Sequence, residues 1–181
     1  MKSLIGIFFV FLSLSASSQQ YFTTSGKTHF FSSTPLEDIE ATNLKSVCAF
    51  NTETSKVSAN IPVKSFKFRD ELMEAHFNEN YLESDKYPNA KLTGTLKAPA
   101  DYSKEGTVEV VVLGKLEIHG VTVEREIPCK LTIKDGVPSK VASEFDVVLS
   151  DHKIKIPKAL FTNIAEVIKI DLSYDLVKYT K

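Results

Sequence analysis

Tryptophan is absent, and cysteine occurs only twice in the 181 residues. Two cysteines rule out a disulfide-dense miniature scaffold and a Cys-rich zinc module. An excess of charge is also missing: 22 Lys and Arg stand against 23 Asp and Glu, for a net charge of −1. A duplex nucleic-acid binder would carry a basic footprint, so nucleic acid is not an expected partner. Apolar residues make up 43% and charged residues 25%, the balance of a chain that folds. Catalytic signatures are missing as well, with no Gly-rich phosphate loop, no strand–elbow serine and no C-x-x-C. His29, His76, His119 and His152 lie far apart in sequence. Only His76 with Glu79 stands at an i,i+3 spacing, two ligands where a metal site needs three or four. No metal and no cofactor are expected, and a local hydrogen bond accounts for His76. A hydrolase built on His76 and Glu79 would need a third partner from another histidine.

The first residues have the layout of an export signal. Met1-Lys2 is a short positive start, Leu4 to Leu14 is almost wholly apolar, and Ala16, Ser17 and Ser18 are small. Charge, a short apolar core and small residues at a cut mark a secretory signal peptide, here expected to end at Ser18. The apolar run is too short to span a bilayer comfortably. No cysteine stands near the cut, so no acylated terminus is expected. Residues 19–181 are then expected to form one exported domain, periplasmic or extracellular, without a stable membrane anchor.

What remains is dominated by alternation. Val57, Ala59, Ile61 and Val63 alternate with Ser58, Asn60, Pro62 and Lys64. Ala90, Leu92, Gly94 and Leu96 do the same, as do Val121, Val123, Ile127, Cys129, Leu131 and Ile133. Ile168, Ile170, Leu172, Tyr174 and Leu176 form a further row. Period two gives each strand one wet and one dry face, the pattern of antiparallel sheet. His119-Gly120 and Asp135-Gly136 link runs closely enough to be hairpins. Strand-like runs cover 20–24, 27–32, 45–51, 56–68, 89–97, 107–119, 121–134, 140–149 and 166–178. About eight strands result if one short early run continues its neighbour, which favours a barrel or a sandwich. Two segments read as short helices. Pro35 to Asn43 has Pro in its first turn and Glu37, Asp38 and Glu40 early. Residues 70–85 have Asp70 as N-cap, with Leu72, Met73, His76, Phe77 and Tyr81 at helical spacing before Pro88.

Three side chains on dry rows need an account. Cys48 and Cys129 are expected to form one disulfide if their strands are neighbours, with two free buried thiols as the alternative. Arg125 shares the parity of Val121, Val123 and Ile127, so it must pair, reach a rim, or face a polar ligand group. A bulge or rim position that lets the guanidinium reach water is the simpler account.

Four stretches in order resemble one family. Gly114-Lys-Leu-Glu-Ile-His-Gly-Val-Thr122 is very like the strand–turn G-x-L-x-I-x-G-V-T of YceI-like proteins. Leu72 to Pro88 resembles that family's segment ending in Tyr-Pro, and Lys27 to Ser33 and Ser150 to Pro157 are similar to its entry and late segments. The resemblance spans about residues 21–178. It implies an all-β fold, an eight-stranded antiparallel lipocalin-like barrel with one or two short helices. It also implies a long polyisoprenoid or quinone-like lipid as partner, held for storage or transport. Strand parity then nominates the lining. Val57, Ala59, Ile61 and Val63 supply one row, and Leu116, Ile118, Val121 and Val123 another. Phe145, Val147 and Leu149 follow on a third, and Phe77 comes from the helix. These rows read as aliphatic with few Phe. Arg125 and His76 are the candidates for a head-group contact. The same rows would also pack a filled barrel, a protein-binding or stress-response module. A homodimer is left open.

Overall fold

The structure, a computed structural model, describes residues 19–156 and 164–180. The expected signal peptide, residues 1–18, lies outside the described residues. The chain opens with β1 (Gln20–Ser33), β2 (Asp38–Asn51) and β3 (Lys56–Pro62). A tight turn at Val63–Ser65 leads to β4 (Phe66–Phe68), and then to α1 (Glu71–His76) and a wider π-type turn, Phe77–Tyr81. Next come β5 (Asn89–Leu96), β6 (Gly106–Ile118), β7 (Val121–Lys134) and β8 (Val137–Val148). A short turn at Leu149–His152, β9 (Val167–Asp175) and β10 (Val177–Lys178) complete it.

Eight strands close into one antiparallel barrel in the order β1-β9-β8-β7-β6-β5-β3-β2, with β1 pairing back onto β2. β4 adds to β2 beside Ala41–Asn43, and β10 adds to β1 at Tyr21 and Phe22. The runs 20–24 and 27–32 are one strand, with its register shifted around Gly26. A side chain at Gly26 would collide with the Tyr174 ring, so glycine is what lets that ring lie against the strand. Both hairpins form where expected. His119-Gly120 and Asp135-Gly136 all have positive φ, the backbone that matches the twist of paired strands.

The helix expected over Pro35 to Asn43 does not form. Thr34 and Glu37 close a turn, and Asp38 onward pairs with β1 from Ser33↔Asp38 to Phe30↔Ala41. Ile39, Ala41 and Asn43 are buried while Asp38 and Glu40 are exposed. The acids that resemble a helix start are thus the wet face of a strand, and the long β1–β2 ladder overrides local propensity. The second helix is shorter than 70–85. Asp70 caps it, accepting from the Met73 N–H at 3.0 Å, but regular α-helix ends at His76.

Outside, oppositely charged side chains face each other across the ladders at Lys91–Glu117 (3.2 Å) and Lys115–Glu124 (3.3 Å), and Lys97, just past β5, reaches over β6 to Glu126 on β7 (2.8 Å). Each exposed pair is worth at most about 1 kcal/mol, so they favour register more than stability. Inside, Tyr21, Phe50, Leu131, Ile133 and Leu176 fill the end of the barrel away from α1. Higher up, Thr28 Oγ1 stands 2.7 Å from Ser46 Oγ and 2.8 Å from the Tyr174 hydroxyl, so these buried oxygens satisfy one another.

One seam interrupts the wall. β7 and β8 are laddered only over Lys130–Lys134 and Val137–Ala142. Beyond that, Ser143 Oγ on β8 donates to the Pro128 carbonyl (2.6 Å), and His152 Nδ1, from the turn after β8, donates to the Val121 carbonyl (3.1 Å).

Both thiols are free and buried, which corrects the expected Cys48–Cys129 bridge. Their strands are not neighbours, because β2 pairs with β1, β3 and β4 while β7 pairs with β6 and β8. Burial, and then the neighbouring Cys129, push the Cys48 thiol up to about 12, which leaves it protonated and unreactive.

His152 is 1% exposed, and burial holds its pKa below the ordinary 6.5. In the unfolded chain the ring takes up a proton as pH falls through 6.5; in the fold it does so only at lower pH. The stability it confers is therefore whole above 6.5 and is lost as pH falls toward the folded value. Urea midpoints measured against pH should fall below that point in the wild type, and the fall should be shallower in His152→Gln. Parallel curves would assign the acid loss to other groups.

Candidate functional site

The barrel is hollow at its α1 end. Asp70 starts the helix, and the turn Phe77–Tyr81 carries it across the mouth, where the Leu82 N–H donates to the Phe77 carbonyl at 2.9 Å. Met73, Phe77 and Tyr81 form one stripe at i,i+4 spacing and all face inward. Phe77 meets a collar of rings from β1 and β4: Phe68 at 5.0 Å, Phe30 stacked at 5.4 Å and Phe66 edge-on at 5.6 Å. Aromatic pairs at such distances add about 0.5–1.5 kcal/mol beyond the area they bury.

Beneath this collar lies a cavity of about 150 Å³. Ala59 and Ile61 line it from β3, Leu116 and Ile118 from β6, and Phe145 and Val147 from β8. β9 contributes Ile168, Ile170 and Leu172 on the other side. The few polar groups on the wall are engaged or neutral. Thr28 belongs to the Tyr174 network, and Ser32 Oγ accepts from the Ala165 N–H at 2.9 Å. Burial raises the pKa of the Tyr81 phenol and so keeps it uncharged. Its volume is that of apolar cavities which stay dry and take up a benzene-sized molecule.

A second, smaller cavity of about 50 Å³ lies deeper, among Cys48, Cys129, Phe50, Leu131, Val141 and Leu176. Among the described residues no group of three or more His, Cys, Asp or Glu could hold a metal ion.

The structure sorts the parity-derived residues. Ala59, Ile61, Val63 and Phe77 line the main cavity, as do Leu116, Ile118, Phe145, Val147 and Leu149. Val57 lines the deeper cavity instead. Val121 and Val123 line neither of these cavities, because β7 parts from β8 along the seam and β8 supplies the wall there. Arg125 lies in the same stretch. Its guanidinium sits 5.2 Å over the Phe145 ring, a cation–π contact, and its Nε is buried with no hydrogen-bond partner among the described residues. Phe145 is on the cavity wall and Arg125 is not, so Arg125 has no direct contact with the cavity. His76 is not on the wall either. The other histidines are engaged elsewhere: His29 with Glu40 (3.3 Å), His119 with Glu83 (2.6 Å) and His152 with Val121. None of them joins His76 and Glu79.

Strand parity and helical spacing name Phe77 and Phe145 but not Phe30, Phe66 and Phe68, the rings that complete the collar. Five phenylalanines, Phe30, Phe66, Phe68, Phe77 and Phe145, line a cavity expected to hold few. The i,i+2 spacing of Phe66 and Phe68 was the available signal. It was masked because 56–68 read as one straight strand, whereas the turn at Val63–Ser65 swings β4 over the mouth.

A sequence profile of the YceI-like domain matches residues 15–176. This chain belongs to the YceI-like family. Solved structures share its fold at low identity. A polyisoprenoid-binding domain from Saccharophagus degradans, implicated in plant cell wall breakdown, superposes with a TM-score of 0.72 at 13% identity, covering 90% of this chain and 99% of that one. BcnA from Burkholderia cenocepacia gives 0.66 at 16% identity, over 83% and 94% of the two chains. The Campylobacter jejuni YceI protein gives 0.53 at 14%, over 99% and 94%. No curated protein matches the chain in sequence. The YceI-like barrel expected from the four sequence stretches is therefore the fold observed, eight antiparallel strands with one short helix.

Phe77 joins helix, collar and cavity in this YceI-like chain. Phe77→Ala should cost about 2–4 kcal/mol, below the full-burial range because one side of the ring faces the cavity. Chemical denaturation checks this, and a loss of a few tenths would mean that the collar does not hold the mouth.

Proposed function

We propose that this protein encloses one long apolar chain, an isoprenoid or quinone-like lipid, and holds it for storage or transport outside the cytoplasm. The apolar cavity at the α1 end carries the reading. It offers area rather than charge, which is what a featureless hydrocarbon needs. Each methylene removed from water is favourable by about 0.8 kcal/mol before association costs, so a long chain binds without a charged contact. The polyisoprenoid-binding relative with the same fold supports this class of ligand. Export rests on the leader-like residues 1–18. Intact-mass analysis of protein from its native envelope should show a chain beginning at Gln19. A full-length chain retained in the cytosol would remove the export part of the proposal.

A charge placed on the wall tests the ligand part. Ile61 and Val147 are 7% and 3% exposed and both line the cavity. Val147→Asp or Ile61→Asp puts a carboxylate where hydrocarbon cannot solvate it. The folded variant should lose at least about tenfold in affinity for a fluorescent prenyl lipid, equivalent to about 1.4 kcal/mol. Folded variants that bind as tightly as the wild type would place the lipid elsewhere.

A further inference from the structure

We infer that a constriction formed by Leu92, Leu172 and Ala59 divides the barrel interior and limits the length of the chain it accepts. The inference rests on the lipid reading above and adds a specificity-determining step to it. These three side chains line both cavities at once, the larger above and the smaller below. Their placement suits a divide. Ala59 on β3 and Leu92 on β5 are direct cross-strand partners. Leu172 is on β9, four strands from β5 in either direction around the eight-stranded ring, so it comes from the opposite wall.

Leu92 is held there by its neighbours. It is 6% exposed, and its Cδ1 lies 2.7 Å from where a Cβ on Gly114 would stand. The missing side chain at Gly114 is therefore the notch into which Leu92 fits. Ala59 is too small to complete the barrier, so the divide is a narrowing and not a sealed floor. Below it the deeper cavity is apolar apart from protonated thiols and hydroxyls, so it would accept hydrocarbon if the narrowing were removed. Beyond that, the aromatic and aliphatic plug around Tyr21, Phe50 and Ile133 closes the far end.

A chain entering from the α1 end therefore gains contact with each added unit until its tip reaches Leu92 and Leu172. Further units must fold back or stay outside, and add little.

The test is a ladder of all-trans prenyl alcohols, each one isoprene unit longer than the last, titrated against the mature protein. Wild-type affinity should rise along the ladder and then level off. In Leu92→Ala the deeper cavity joins the larger one, and the plateau should move to a longer chain, with about tenfold tighter binding of the first alcohol past the wild-type plateau. Leu172→Ala, on the opposite wall, should move it in the same direction and serves if Leu92→Ala does not fold. A wild type that binds, with a plateau unmoved in a folded variant, overturns the divide and leaves the lipid reading standing. A wild type that binds no prenyl alcohol of any length overturns both.

Discussion

β1 pairs with β2 on one side and with β9 on the other, and that double pairing turns a sheet into a tube. An open sheet would leave two edges of unpaired backbone and an apolar face needing cover. Closure removes both problems, because every inward row faces another inward row. It also sets the chemistry of the interior. Eight strands give a barrel just wide enough either to be packed solid or to hold one slender ligand, so side-chain size decides between the two. Here the answer differs along the axis. Tyr21, Phe50, Leu131 and Ile133 fill the far end, while at the α1 end the rings gather at the mouth and space remains beneath them, beside the small Ala90.

The same closure explains why the rings gather at the mouth. A tube open to water at one end would expose its dry lining. β4 and the helical segment fold over that end and bring Phe66, Phe68 and Phe77 against Phe30. Phe30 belongs to the doubly paired β1, whereas Phe66 and Phe68 sit on a three-residue strand and Phe77 on the turn after a short helix, both sparsely paired. Ladder hydrogen bonds hold the wall, whereas the helical segment is held over the mouth by ring packing, the exposed Lys67–Glu74 pair and the Phe68 N–H donating to Glu74. Packing is the weaker constraint, so local opening should be easier at the collar than in the wall.

Much of the architecture was legible because period-two alternation is a direct consequence of a two-faced sheet. The rows of β3, β6 and β8 fall on the cavity wall at Ile61, Leu116 and Val147 as their parity indicates. Parity failed where geometry intervened. Val121, Val123 and Arg125 have the inward parity, but the seam between β7 and β8 takes them off the cavity, a long-range event with no local signal. The segment Pro35 to Asn43 imitates a helix start because acids suit both a helix N-terminus and the wet face of a strand. Only its pairing with β1 decides between them. Cys48 and Cys129 line the same cavity yet lie on strands separated around the ring, and parity says nothing about circumferential order. The four YceI-like stretches supplied the topology that alternation alone left between barrel and sandwich.

The cavity at the α1 end is a ligand chamber, and not a packing imperfection, only if the native protein carries a lipid in it. Organic extraction of protein purified from its native envelope, followed by mass spectrometry with quantitation against protein, tests that directly. The expected result is an isoprenoid lipid approaching one molecule per chain, displaced when an excess of a competing prenyl alcohol is added. Folded native protein that yields no lipid, and that takes up none when offered it, would contradict the account.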